Sequence, residues 1–215
     1  MSLFLGRKRE MAMLKDLLEK KTASFVVIKG RRRIGKSRLI KEFAKNFESF
    51  FYFTGLPPEE KVTMQHQLTE FSRQLSSQCN IPKISYNDWG DAFWALSEKT
   101  KKGKILVFFD EISWMGAGDP TFLGKIKNLW DDNLKNNNKL IFVICGSASS
   151  WIEKNILSSS GFVGRISLSI DLKELSLDDL NFYTSMNQTL TQHYLKFEHG
   201  DLAKQPVHIQ IHQLD

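Results

Sequence analysis

Long apolar runs are scarce in this 215-residue chain: the longest, Ile105 to Phe109 and Leu140 to Cys145, hold five and six residues. A membrane-spanning helix needs ~20, so a transmembrane protein is excluded and no membrane partner is expected. The opening Met1 to Arg7 is too short for the apolar segment of a signal peptide and has no basic stretch before it, so a cytoplasmic location is expected. Cysteine is almost missing. Cys79 and Cys145 offer at most one bridge, and Cys145 lies in an apolar run that reads as a buried strand, so both are read as free thiols. Internal repeats and long low-complexity tracts are absent too. Acidic residues are outnumbered, 24 against 30 Lys and Arg, for a net charge of +6. That balance keeps nucleic acid or an acidic surface open as a partner, but charge bears on association and not on fold.

With 41% hydrophobic residues the chain can bury a sizeable core in one or two domains. Met11, Leu14, Leu17 and Leu18 recur at helical spacing between Arg7 and Lys20. A β-branched run from Ser24 to Ile28 stops at Gly30, and Ser37 to Phe47 reads as a helix. A strand at Ser49 to Phe53 precedes Gly55 and Pro57-Pro58, with a helix expected over Glu59 to Gln78 and another, capped by Asn87-Asp88, running into Lys102. Lys104 to Asp110 has the continuous apolar character of a strand covered on both faces. A Gly-rich loop over Gly116 to Pro120, a helix over Thr121 to Leu134, a strand over Lys139 to Cys145, a helix over Ala148 to Leu157 and a strand over Ile166 to Leu172 complete the pattern. This alternation predicts an α/β domain with a parallel, doubly wound sheet.

Gly30-Arg31-Arg32-Arg33-Ile34-Gly35-Lys36-Ser37 fits G-x-x-x-x-G-K-[ST] and falls between an expected strand and an expected helix. The glycines let backbone N–H groups curl around a phosphate, and the following helix turns its positive end toward the anion. Nucleotide contacts are therefore expected at Arg33, Ile34, Gly35, Lys36, Ser37 and Arg38, with the Lys36 charge on the β- and γ-phosphates and the Ser37 hydroxyl on Mg2+. Asp110 ends a buried strand and is the candidate metal-shell carboxylate; adjacent Glu111 is the candidate general base for a water. Ser147, at the tip of the next strand, fits either a γ-phosphate sensor or a helix-capping serine. Arg165 fits either an arginine finger in a neighbouring subunit or a plain salt bridge. Trp89, Trp94, Trp114 and Trp130 read as packing anchors rather than a base-stacking platform.

The chain resembles the archaeal and bacterial ATPase family of the AAA+/STAND class of P-loop NTPases. The resemblance rests on Phe4-Leu5-Gly6-Arg7-Lys8-Arg9-Glu10, the run Ile28 to Ser37, Phe108-Phe109-Asp110-Glu111, Cys145-Gly146-Ser147 and Gly164-Arg165, and covers residues 3 to about 180. It implies a three-layer P-loop NTPase, AAA+-like, with a five-stranded sheet in the order 5-1-4-3-2. It also implies an adenine edge at Leu5, Gly6 and Arg7. Members continue into a helical lid and a winged-helix or nuclease-like domain. Here residues 1–180 are expected to form the ATPase domain. Residues 181–215 form an atypical, His- and Gln-rich tail, expected to be poorly ordered or to stand where truncation removed the distal half.

The implied function is ATP binding and Mg2+-dependent hydrolysis to ADP and phosphate, driving conformational change in a protein partner or homo-oligomeric assembly. The alternatives are a slow nucleotide-gated switch or scaffold associated with DNA, a small-molecule kinase, and a nucleic-acid binder without nucleotide chemistry. Residues 1–45 hold 14 Lys and Arg against 4 Asp and Glu, and the remainder 16 against 20, so the whole positive surplus sits around the phosphate loop. That placement suits a polyphosphate better than a long nucleic-acid groove.

Overall fold

The computed structural model describes Phe4 and residues 6–175. Arg7–Glu174 form one compact unit; Phe4, Gly6 and Leu175 group outside it. Leu5, and the tail to which the sequence assigns separate character, lie outside the described residues.

Five strands make the sheet: β1 Ser24–Lys29, β2 Ser49–Thr54, β3 Ile105–Asp110, β4 Leu140–Gly146 and β5 Ile166–Asp171. Their order is 2-3-4-1-5 and every pairing is parallel, the expected 5-1-4-3-2 read from the other edge. Every residue of β3 and β4 is buried, because helices cover both faces and leave no side of these strands to water. Along one face Phe25, Phe53, Phe109 and Phe142 join a cluster with residues of α3 (Met64–Cys79), α4 (Trp89–Ser97) and α6 (Phe122–Asn128). Within it the Phe109 ring centroid lies 5.1 Å from Phe142, 5.4 Å from Phe53 and 5.7 Å from Phe93. Each such fully buried ring contributes about 2 kcal/mol of hydrophobic stabilisation before entropy is counted. Helices α1 (Lys8–Asp16) and α2 (Lys36–Phe43) bury Leu14, Leu39, Ile40 and Phe43.

Helix ends depart from periodicity where capping chemistry decides them. The helix expected from Glu59 begins at Met64, because Thr63 and His66 form a reciprocal capping box. Asp88 caps α4 as expected, but the helix stops at Ser97. The segments expected as single helices over 121–134 and 148–157 each turn into wider, π-type coils, at Leu129–Asn133 and Glu153–Leu157. A one-turn helix, α5 (Ile112–Met115), follows β3 directly, and a second, α7 (Ser149–Ile152), follows β4. Trp89 and Trp130 are core anchors, whereas Trp94 is 63% exposed, which corrects its reading as a packing residue.

Strand β2 lies at an edge of the sheet, and glutamines from α3 close that edge. The Gln78 amide accepts from the Tyr52 N–H (2.7 Å) and donates to its carbonyl (2.8 Å). Gln74 does the same for Thr54 (2.9 and 3.0 Å), and Gln67 for Leu56 (2.9 Å each way). Positions 67, 74 and 78 share one helical face, and residues 52, 54 and 56 share one side of the extended chain, so the two periods mesh. Among the described residues no helix is long and apolar enough to cross a membrane.

Candidate functional site

The phosphate loop is shaped by backbone that most residues cannot adopt. Gly30 has φ 150° and Gly35 φ 92°, and Arg33 takes the left-handed region at φ 64°. A Cβ on Gly30 would fall on the Leu172 carbonyl oxygen and 2.7 Å from Ile34 Cδ1, so glycine there is a matter of space as well as torsion. Gly35 opens α2 without a side-chain cap, leaving first-turn N–H groups of the helix for an anion. Lys36 is buried and folds back over the loop, its Nζ donating to the carbonyls of Gly30 (2.9 Å) and Arg31 (2.7 Å).

Arg7, expected at the adenine edge, is buried with φ 57°; its Nη2 donates to the Ile34 carbonyl at 2.9 Å. It therefore fastens the loop at Ile34. Neighbouring Gly6 has φ 75°.

The C-terminal ends of β3 and β4 meet this loop. Asp110 is 5% exposed and accepts four hydrogen bonds. Its Oδ2 takes the Ser37 hydroxyl at 2.6 Å and the Tyr52 phenol at 3.2 Å; its Oδ1 takes the Cys145 thiol at 2.8 Å and the Glu111 N–H at 3.1 Å. Burial, reinforced by the Asp110 charge, pushes the Tyr52 phenol well above its usual range, and the same two causes in the same order raise the Cys145 thiol. Both remain protonated donors at neutral pH. Glu111 adopts φ 50°, and its Oε2 accepts both the N–H and the hydroxyl of Ser147, each at 3.0 Å.

Arg32, Arg33, Gly35, Lys36, Ser37, Arg38 and Glu111 line a cavity of about 390 Å³, a volume suited to a small ligand. Four of these seven residues are cationic and one is anionic, so the cavity selects an anion. The Arg32 guanidinium lies 4.9 Å over the Trp114 ring, and Arg31 points away to Glu174 at 2.9 Å. Arg165 stands apart in a bidentate pair with Asp131, Nε to Oδ1 at 2.9 Å and Nη2 to Oδ2 at 2.8 Å.

Magnesium suits this donor set. Among the described residues no group of three or more His, Cys, Asp and Glu could cage a metal unaided. Mg2+ keeps most of its waters and is held through one or two hard oxygen ligands plus phosphate, which Ser37 Oγ and the Asp110 carboxylate beside an anion cavity provide. All four donors on Asp110 are neutral, so its charge is left for a cation. Nothing in the sequence gives Tyr52 or Cys145 a role in this site. Their contact with Asp110 depends on parallel register, Tyr52 opposite Phe108 and Ile144 opposite Phe109, which no local motif carries.

Comparison with known proteins accords with this geometry. The pattern of a family described as an ATPase domain predominantly from Archaea matches residues 4–200. An uncharacterized protein of Methanocaldococcus jannaschii is 26% identical over 178 residues, 83% of this chain and 37% of its own. Among solved structures, a Walker-type ATPase of Pyrococcus abyssi superposes with a TM-score of 0.58 at 20% identity, covering 82% of this chain and 55% of that one. Cdc6p of Pyrobaculum aerophilum gives 0.52 at 12% identity, covering 78% and 46%. At these identities the structures establish a shared P-loop ATPase fold, and the chain spans about half or less of each relative's length.

Proposed function

The chain belongs to the family of ATPase domains predominantly from Archaea, and on that premise we propose that it binds ATP with Mg2+ at the Gly30–Ser37 loop and hydrolyses it to drive conformational change in a protein partner or assembly. The observation that carries this reading is the 2.6 Å hydrogen bond from Ser37 to Asp110, beside a cationic cavity that Glu111 also lines. Ser37 and Asp110 would hold Mg2+, which when bound neutralises charge on the β- and γ-phosphate oxygens.

The chain's own groups supply the rest. First-turn N–H groups of α2 bind phosphate oxygens. Lys36 has three N–H donors and uses two on loop carbonyls, leaving the third for a phosphate oxygen. Ser147 grips Oε2 of Glu111 with two donors and leaves Oε1 to accept from a water. Glu111 accepts the proton as the water oxygen attacks the γ-phosphorus, the bond to the β–γ bridging oxygen breaks, and ADP and phosphate leave. The adenine is assigned by family resemblance to the side of Leu5, Gly6 and Arg7. An arginine-finger role for Arg165 in a homo-oligomer requires its Asp131 pair to open first. Nucleic acid is retained as a candidate partner.

Glu111→Gln should hold ATP within about twofold of wild type while turnover falls at least about 100-fold, measured by phosphate release. Unchanged turnover removes Glu111 from this role. A second reading, a slow nucleotide-gated switch, is favoured by the same Glu111–Ser147 contact, which occupies one oxygen of the base. Single-turnover kinetics decide, since chemistry slower than minutes with retained ADP selects the switch.

A further inference from the structure

Asp110 is held from more directions than the phosphate loop accounts for. Ser37 reaches Oδ2 from α2 and the Glu111 N–H reaches Oδ1 from the chain itself. Two further donors come from the strands on either side of β3, Tyr52 of β2 on Oδ2 at 3.2 Å and Cys145 of β4 on Oδ1 at 2.8 Å. The terminal torsion of an aspartate is broad, and the Ser37 hydroxyl on Oδ2 is itself read as a metal ligand, so apart from the strands only the Glu111 N–H on Oδ1 is left to hold the carboxylate. A donor on each oxygen from opposite strands stops that rotation. Neither donor carries positive charge, so together they orient the carboxylate without competing electrostatically with a metal. Tyr52 is itself fastened: Lys41, one turn along the helix that carries Ser37, sits 4.5 Å over its ring, and Gln78 holds its backbone N–H and carbonyl.

We infer that Tyr52 and Cys145 are positioning residues for the metal shell, clamping the Asp110 carboxylate from β2 and β4 in the orientation that Mg2+ requires. The inference rests on the reading of Asp110 as a metal-shell residue, and outer-shell partners of this kind commonly govern metal affinity.

The test uses the full chain with ADP, Mn2+ as the probe, and electron paramagnetic resonance to count unbound Mn2+. Tyr52→Phe, which removes only the hydroxyl, and Cys145→Ala should each weaken Mn2+ binding about tenfold. Cys145→Ser, which keeps an O–H donor, should return to within about twofold of wild type. ADP affinity measured in EDTA should stay within about twofold for all three, since the phosphate loop is untouched. Wild-type Mn2+ affinity in both Tyr52→Phe and Cys145→Ala overturns the inference, as does an equal loss of ADP affinity in EDTA, which would mark a general structural effect. Should the buried Cys145→Ala fail to fold, Tyr52→Phe at the half-buried edge strand decides alone. Asp110→Asn separates the two levels. If it too binds Mn2+ normally, the metal-shell reading fails and the inference with it; if it alone loses Mn2+, only the inference fails.

Discussion

A Cβ added to Gly30 would strike the Leu172 carbonyl oxygen, whereas one added to Gly35 would meet no atom within 4 Å. Leu172 cannot withdraw cheaply, since its own N–H donates to the Lys29 carbonyl at 2.8 Å and continues the ladder between β1 and β5. Gly30→Ala should therefore cost about 3 kcal/mol, through clash and torsion together. Gly35→Ala should cost about 1 kcal/mol from its φ of 92° alone. Urea unfolding of the two variants checks the order, and equal losses would mean that the Leu172 strand yields. Lys36 and Ser37 are legible in the sequence from the G-x-x-x-x-G-K-[ST] spacing, and Asp110 and Glu111 from their place at the end of a continuous apolar run; the fold brings the two pairs together. Arg7 is legible only as a motif member. Its grip on the Ile34 carbonyl depends on a left-handed turn that nothing in Leu5-Gly6-Arg7 announces beyond the glycine.

The coil over Leu129–Asn133 and the turn before β5 are joined by one ion pair. The hydrogen bonds of Arg165, with a further contribution from Lys127, hold the Asp131 carboxyl down at about 2. A carboxylate with its pKa lowered by folding stabilises the protein above its unfolded value and loses that contribution as pH falls from about 4 toward 2. Arg165→Ala should thus lower stability at pH 7, and progressively less below pH 4. Urea unfolding at pH 7 and pH 3 tests this, and a pH-independent loss would point to packing by the arginine stem. If Arg165 also serves a neighbouring subunit, turnover by the variant should fall further behind that of wild type as protein concentration rises. At this scale strand positions follow closely from composition. Helix ends do not, because the reciprocal bonds of Thr63 with His66, and the widened coils after α6 and α7, are local features that periodicity averages away. Trp94 misleads for a different reason: Trp89, Ala92, Phe93 and Leu96 on α4 face the core and it does not.

The whole unit is tied to its ligand by mass action. ADP with Mg2+ at 100 times its Kd should add about 2.7 kcal/mol to stability and raise Tm by about 5 to 10 °C. EDTA should remove most of that gain, and an undiminished shift would mean that the protein does not hold the metal. The sheet order is legible through the family resemblance, and the glutamine rungs on β2 are not, since reading them requires knowing that β2 is an edge. An amide side chain is a peptide group lifted off the backbone, so Gln67, Gln74 and Gln78 give the sheet in hydrogen-bonding terms a sixth strand made of helix. From Tyr52 to Leu56 the edge is consequently finished: those peptide groups offer no template on which another chain could polymerise, and a partner approaching there must be recognised by side chains.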